Sequence, residues 1–192
     1  VARARNPNVE EETAMDTTER APLPFAGFPV SALATLRRLA GTADDKALLI
    51  ARAALGLVIF PHGAQHALGW FGGGGFSGTL AWMTGALGIP APLGALAIVV
   101  ELLAPLALLA GIGGRIAAAG IAGLMLVAAA THRANGFFMN WFGALPAGAE
   151  GFEYHLLALT LAVVVGLKGS GALSLDRRLA GAPGSRGPSG SA

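Results

Sequence analysis

Four apolar stretches, each bounded by charge, glycine or proline, constrain this chain more than any other feature. They run over Leu48–Leu68, Pro92–Gly111, Ile116–Ala130 and Phe152–Leu167. A run of ~20 apolar residues can cross a ~30 Å hydrocarbon core as a helix, which satisfies its own backbone hydrogen bonds where no water can. The first two stretches reach that length. The last two are shorter, and either alone could be a buried helix of a soluble domain. Arg115 at one end of the third and Glu153 to His155 at the entry of the fourth extend them to the interface. The composition agrees, with 54% hydrophobic and only 12% charged residues, where a soluble domain carries about 25% charged. The expected fold is all-α: a four-helix transmembrane bundle of two hairpins, with both termini on the same side.

Charge orients that bundle. With four spans, Arg3, Arg5, Arg20, Arg37, Arg38, Lys46, Arg115, Lys168, Arg177, Arg178 and Arg186 share one side, with Arg52 just inside the first span; the other side has only Arg133. Basic residues near span ends mark the cytoplasmic face, so both termini are expected there, in a bacterial-type inner membrane. The basic residues flank apolar segments rather than forming a stripe with interleaved aromatics. That pattern points to anionic lipid and away from nucleic acid. Residues 1–46 read as a polar, largely disordered tail with a short helix around Val30–Leu39, and lack the pattern of a signal peptide. Residues 47–168 form the membrane domain. Residues 169–192 read as a second cytoplasmic tail, disordered from about 181, where Gly, Ser and Pro dominate. The chain has no cysteine, which removes disulfides, thiolate nucleophiles and cysteine-ligated clusters.

Candidate chemistry gathers at the outer level. In this topology His62, His66, His132 and His155 all fall at the outer ends of their spans, and His62 and His66 share a helix face. Glu101 lies ~14 Å along its helix from Pro92, near mid-membrane, and Glu153 precedes Tyr154 at the entry of the fourth span. An ionisable group inside a bilayer costs at least ~2.5–3.5 kcal/mol unless paired, so it marks a functional site by default. The plainer alternative is that Glu101 pairs with Arg52, a histidine or a backbone donor and locks the bundle. The outer loops also echo each other, His62 to Trp70-Phe71-Gly72 and His132 to Trp141-Phe142-Gly143, which suggests a two-hairpin repeat. Three ligands suit the cluster: a quinone headgroup exchanging protons with His and Glu; zinc or copper held by His62, His66, Glu101 and His132; and a haem between two histidines. No covalent cofactor motif is present, so a quinone would be supplied by the membrane.

Several motifs, in order, carry a resemblance: Arg52-Ala-Ala-Leu-Gly56, Phe60-Pro-His62-Gly63-Ala-Gln65, Gly69-Trp70-Phe71-Gly72-Gly73, Leu87-Gly88-Ile-Pro90, Val100-Glu101-Leu102, Gly111-Ile-Gly-Gly-Arg115, His132 with Asn135-Gly136-Phe137-Phe138, Gly151-Phe152-Glu153-Tyr154 and Ser174-Leu175-Asp176. Over residues 48–178 the chain resembles the DoxX family. That resemblance implies a small inner-membrane four-helix protein related to the membrane subunit of thiosulfate:quinone oxidoreductase. It places Arg52, His62, Gln65, Glu101, Arg115, His132, Asn135, Glu153 and Tyr154 in the family's polar pattern. The residue after Gln65, commonly lysine in the family, is here His66. The expected polar core is therefore His62, Gln65, His66, Glu101, His132, Asn135, Glu153 and Tyr154, with Arg52 and Arg115 as structural anchors. The function expected is an accessory or quinone-interacting subunit of a membrane redox complex, with the bilayer, an oxidoreductase subunit and further copies of itself as partners. The alternative is a non-enzymatic scaffold or small-solute permease with a structural His/Glu core.

Overall fold

The structure, a computed structural model, describes residues 30–143, 145–146 and 149–181. The clusters before residue 30 and the Gly/Ser/Pro-rich end beyond 181, both expected to be disordered, lie outside the described residues. The chain divides into two compact units, residues 1–33 and 34–192; only the last four residues of the first are described, and they are helical. Among the described residues there are seven α-helices and no strand: α1 (Val30–Ala40), α2 (Lys46–Leu68), α3 (Gly75–Gly85), α4 (Ala91–Ala110), α5 (Gly114–His132), α6 (Glu153–Lys168) and α7 (Leu175–Leu179).

Local chemistry explains where the long helices begin and end. Asp45 caps α2, its carboxylate accepting from the Ala47 amide at 2.7 Å and from that of Leu48. Gly69 and Gly111 close α2 and α4 in the left-handed conformation, at φ +74° and +67°, which only glycine adopts cheaply. Helices α2, α4, α5 and α6 pack in a ring, α2 on α4, α4 on α5, α5 on α6 and α6 on α2. Neighbours run antiparallel. Arg52 of α2 meets the end of α4 at Leu108 and His66 meets Glu101, while Arg115 of α5 meets the end of α6 at Gly166 and His132 meets His155 at its start.

The tightest contact is between α2 and α4. Gly56 and Gly63, two turns apart, face α4, and a Cβ on Gly63 would lie 2.2 Å from the Glu101 carbonyl oxygen. Backbones can approach this closely only where the side chain is absent, as is common between membrane helices. Leu55, Ile59, Leu108, Ile121 and Val165 fill the centre. The outside is apolar as well: Leu57, Leu103, Leu126 and Leu157 project outward and each is more than half exposed. A bundle that is apolar inside and out suits lipid as its solvent. Three helices are long and apolar enough to cross a membrane: α2, α4, and α5 with the 3-10 turn Arg133–Asn135 that extends it. With sixteen residues, α6 is shorter than the ~20 that span a bilayer untilted.

The structure departs from the sequence reading in three places. The stretch after Gly69, expected to be loop, contains α3. Its glycines mask an apolar helix whose Leu80 and Met83 pack on Gly94 of α4. The segment from residue 169, expected to be a tail, is built into the bundle end up to α7, with Ser170, Ser174 and Asp176 buried. The two-hairpin echo does not carry into register. Glu101 lies mid-helix in α4 whereas Glu153 is the first residue of α6, and the second outer loop has no α3 counterpart among its described residues.

Candidate functional site

Polar groups occupy both ends of the bundle. At the basic end Arg52 is 2% exposed and uses all five of its guanidinium N–H groups. Nε donates to the Ser170 carbonyl, one terminal nitrogen to those of Leu108 and Leu109, and the other to those of Ala172 and Leu173. It thereby satisfies C-terminal carbonyls of α4 and the backbone of the segment that follows α6. A Cβ on Gly111 would come within 3.0 Å of the guanidinium carbon, so a glycine is required there for space as well as for φ. Asp176 supplies the matching anion. It accepts from the Gly113 and Gly114 amides at 2.8 and 3.0 Å and from the Ser170 hydroxyl at 2.6 Å, satisfying the first amides of α5. Arg115 donates to the carbonyls of Gly166, Leu167 and Gly41; its Nε is buried with no hydrogen-bond partner among the described residues.

The opposite end is built differently. His66 Nδ1 and Glu101 Oε2 lie 2.6 Å apart, an ion pair when the imidazole is protonated. With the carboxylate accepting, Nδ1 donates and the ring's Nε2 is left for another partner. The Glu101 side chain is 13% exposed and that of His66 33%, so the carboxylate backs the imidazole and the imidazole meets a ligand first. His66 lines a cavity of about 340 Å³ together with Gln65, Gly73, Gly74, Gly78, Thr79 and Trp82. The glycines let the chain fold over it: a Cβ on Gly73 would lie 2.3 Å from the Gln65 carbonyl oxygen. Beyond Glu101 a line of rings crosses the bundle, His62 to Tyr154 at 6.0 Å, Tyr154 to His155 at 5.7 Å and His155 to His132 at 4.8 Å. The Tyr154 hydroxyl is buried without a partner among the described residues.

Residues 47–134 match the family model of DoxX. This segment is a DoxX domain. No curated protein and no solved structure matches it. The DoxX match covers α2 to α5 and ends before α6, so Tyr154, His155 and Asp176 lie beyond the matched segment.

Within the bundle the expected polar core is brought together only in part. His66 and Glu101 meet, with Tyr154 beyond them, but His62 is exposed on the α6 side of α2. His132 bonds through Nδ1 to the Ala128 carbonyl of its own helix. Gln65, Asn135 and Glu153 hold loop backbone instead of joining the core. Gln65 reaches the Phe71 carbonyl, Asn135 donates to that of Glu150, and Glu153 accepts from the Met139 amide and the Trp141 indole. At the first residue of α6 a carboxylate finds loop donors nearby, whereas mid-helix Glu101 has only neighbouring helices. The candidate metal set His62, His66, Glu101 and His132 does not assemble. Among the described residues no three His, Asp or Glu side chains converge as a metal ion requires. Arg52, expected near the aqueous surface, is instead buried beneath the segment after α6. The sequence reading missed Thr79 and Trp82 because α3 went unrecognised. It also gave Asp176 no role, although Ser174 followed by an acid in the first turn is the pattern of a helix N-terminus.

Proposed function

We propose that this DoxX protein crosses the cytoplasmic membrane four times with both termini inside, and serves as a quinone-interacting accessory subunit of a membrane redox complex. In support of the fourth span, α6 closes the helix ring and exposes Leu156, Leu157, Val163, Val164 and Leu167, side chains that suit lipid. Tilt or local thinning of the bilayer accommodates a short span at modest cost. Lys46, Arg115, Lys168, Arg177 and Arg178 gather at one end of the ring, the bias that marks a cytoplasmic side.

The observation that carries the quinone reading is the 2.6 Å His66–Glu101 pair behind a glycine-walled cavity at the other end. A quinone headgroup offers carbonyl oxygens on a flat ring. Imidazole Nε2 can donate to such an oxygen or accept from the hydroxyl of the quinol, and Glu101 steadies the imidazole in either state. Thr79 and the Trp82 ring supply a hydroxyl and a flat apolar wall. The chain's own work is to bind the headgroup and handle its protons; the electrons belong to the partner subunit. Extraction of protein purified in mild detergent, followed by mass spectrometry, tests the reading. Stoichiometric quinone should accompany the wild type and be lost from His66→Ala and Glu101→Gln. A folded wild type that neither retains nor rebinds quinone would move the reading to a scaffold or small-solute permease.

A further inference from the structure

We propose that residues 34–40 of α1 form an amphipathic anchor lying on an anionic lipid surface at the basic end of the bundle. The inference rests on the bundle lying in a bilayer and is independent of what the histidine end binds.

At 100° per residue, Leu36, Leu39 and Ala40 fall in one ~100° arc of the helix, while Arg37 and Arg38 flank the opposite side with Ala34 between them. Residues 34–39 are all exposed, including Leu36 at 45% and Leu39 at 38%, while Ala40 at the bundle end of the arc is half-buried, so both leucines of the arc are left open. The chain just beyond α1 is held at a definite height. The Gly41 carbonyl accepts from Arg115 at 2.9 Å, the Thr42 hydroxyl donates to the Lys168 carbonyl and the Thr42 Oγ1 accepts from the Gly171 amide at 2.7 Å. Those partners lie in the first turn of α5, at the last residue of α6 and in the segment just after it, the level at which the apolar bundle gives way to charge. A helix leaving that level with bare leucines on one side and arginines on the other matches the interface between acyl chains and headgroups.

Charge selects the kind of lipid. Arg37, Arg38, Lys46 and Arg178 are exposed at this end. The nearby acids are occupied: Asp44 is ion-paired with Arg177 at 2.8 Å, Asp45 caps α2 and Asp176 is buried among backbone amides. The face is therefore cationic, and anionic headgroups complement it.

The absence of cysteine makes site-directed spin labelling direct. The full chain would carry Leu36→Cys, Leu39→Cys or Ala34→Cys and be placed in nanodiscs of phosphatidylethanolamine with phosphatidylglycerol, or of phosphatidylcholine alone. Labels at 36 and 39 should favour oxygen over a water-soluble nickel reagent by at least about threefold relative to the label at 34. Arg37→Ala with Arg38→Ala, or the neutral lipid, should shrink that difference by about half or more. Equal access to the nickel reagent at all three positions would overturn the proposal. So would a label at 36 shielded from both reagents, which would indicate a protein surface over the leucine arc.

Discussion

The two ends of the bundle hold polar groups of comparable number and opposite logic. At the basic end every terminal nitrogen of Arg52 and Arg115 and both carboxylate oxygens of Asp176 are spent on backbone or hydroxyl partners. Among these three side chains only the enclosed Arg115 Nε is without a partner among the described residues. At the histidine end the pairing stops short among the described residues: the second nitrogen of His66 has no hydrogen-bond partner there, Glu101 uses one oxygen, and the Tyr154 hydroxyl is buried alone. Buried polar groups are expensive to leave unmatched. A saturated cluster holds a fold together; an unsaturated one beside a cavity is where a ligand completes the accounting.

Substitutions at the two ends should therefore separate stability from binding. The largest effect is expected from Arg52→Met, which strips donors from five carbonyls at once. It should cost about 3–5 kcal/mol of stability, read as a collapse of the thermal unfolding temperature and of the monodisperse fraction in detergent. Arg52→Lys, with three donors on a point charge, should recover only part of that loss. Gly63→Ala comes next, at about 1–3 kcal/mol, because its methyl group meets the Glu101 backbone and α2 must move off α4. It should also weaken ligand binding, since it shifts His66 from Glu101, and a stable variant with wild-type binding would break the link drawn between close packing and the pair. Asp176→Asn follows at about 1–2 kcal/mol with ligand binding unchanged. Smallest in stability is Glu101→Gln, expected within about 1 kcal/mol of wild type because a neutral amide keeps the shape and can still bond His66. Were Glu101→Gln to unfold the protein as Arg52→Met does, the two ends would be alike and the contrast would fail.

Much of the fold is legible in the sequence because bilayer solvation acts on composition and length. The long helices α2, α4 and α5 lie within a few residues of their apolar runs, and α1 falls where a short helix is expected. What escaped depends on contacts between distant residues. The α3 segment carries glycines that read as loop, and its helix is supported by packing on Gly94 and α2 rather than by its own propensity. Residues 169–180 look like a tail by composition, yet Arg52 draws their carbonyls inward from more than a hundred positions away. The site was half legible for the same reason. Glu101 stands out because a mid-helix carboxylate in an apolar run demands a partner. Which histidine answers is a matter of helix rotation: Gly63 brings α2 against α4 so that His66, one turn further on, meets Glu101 while His62 faces α6. Sequence spacing puts His62 and His66 on one face, but one turn decides between them.

The most direct test of the account is equilibrium binding of a short-tailed, water-soluble benzoquinone to the purified chain, alongside its unfolding temperature, for wild type, Glu101→Gln and Asp176→Asn. The account predicts saturable binding to the wild type and to Asp176→Asn. It predicts affinity at least about tenfold weaker for Glu101→Gln, whose neutral amide no longer gives the His66 bond its charge assistance, at nearly unchanged unfolding temperature. Equal affinity for wild type and Glu101→Gln, or no saturable binding to a folded wild type, would contradict it.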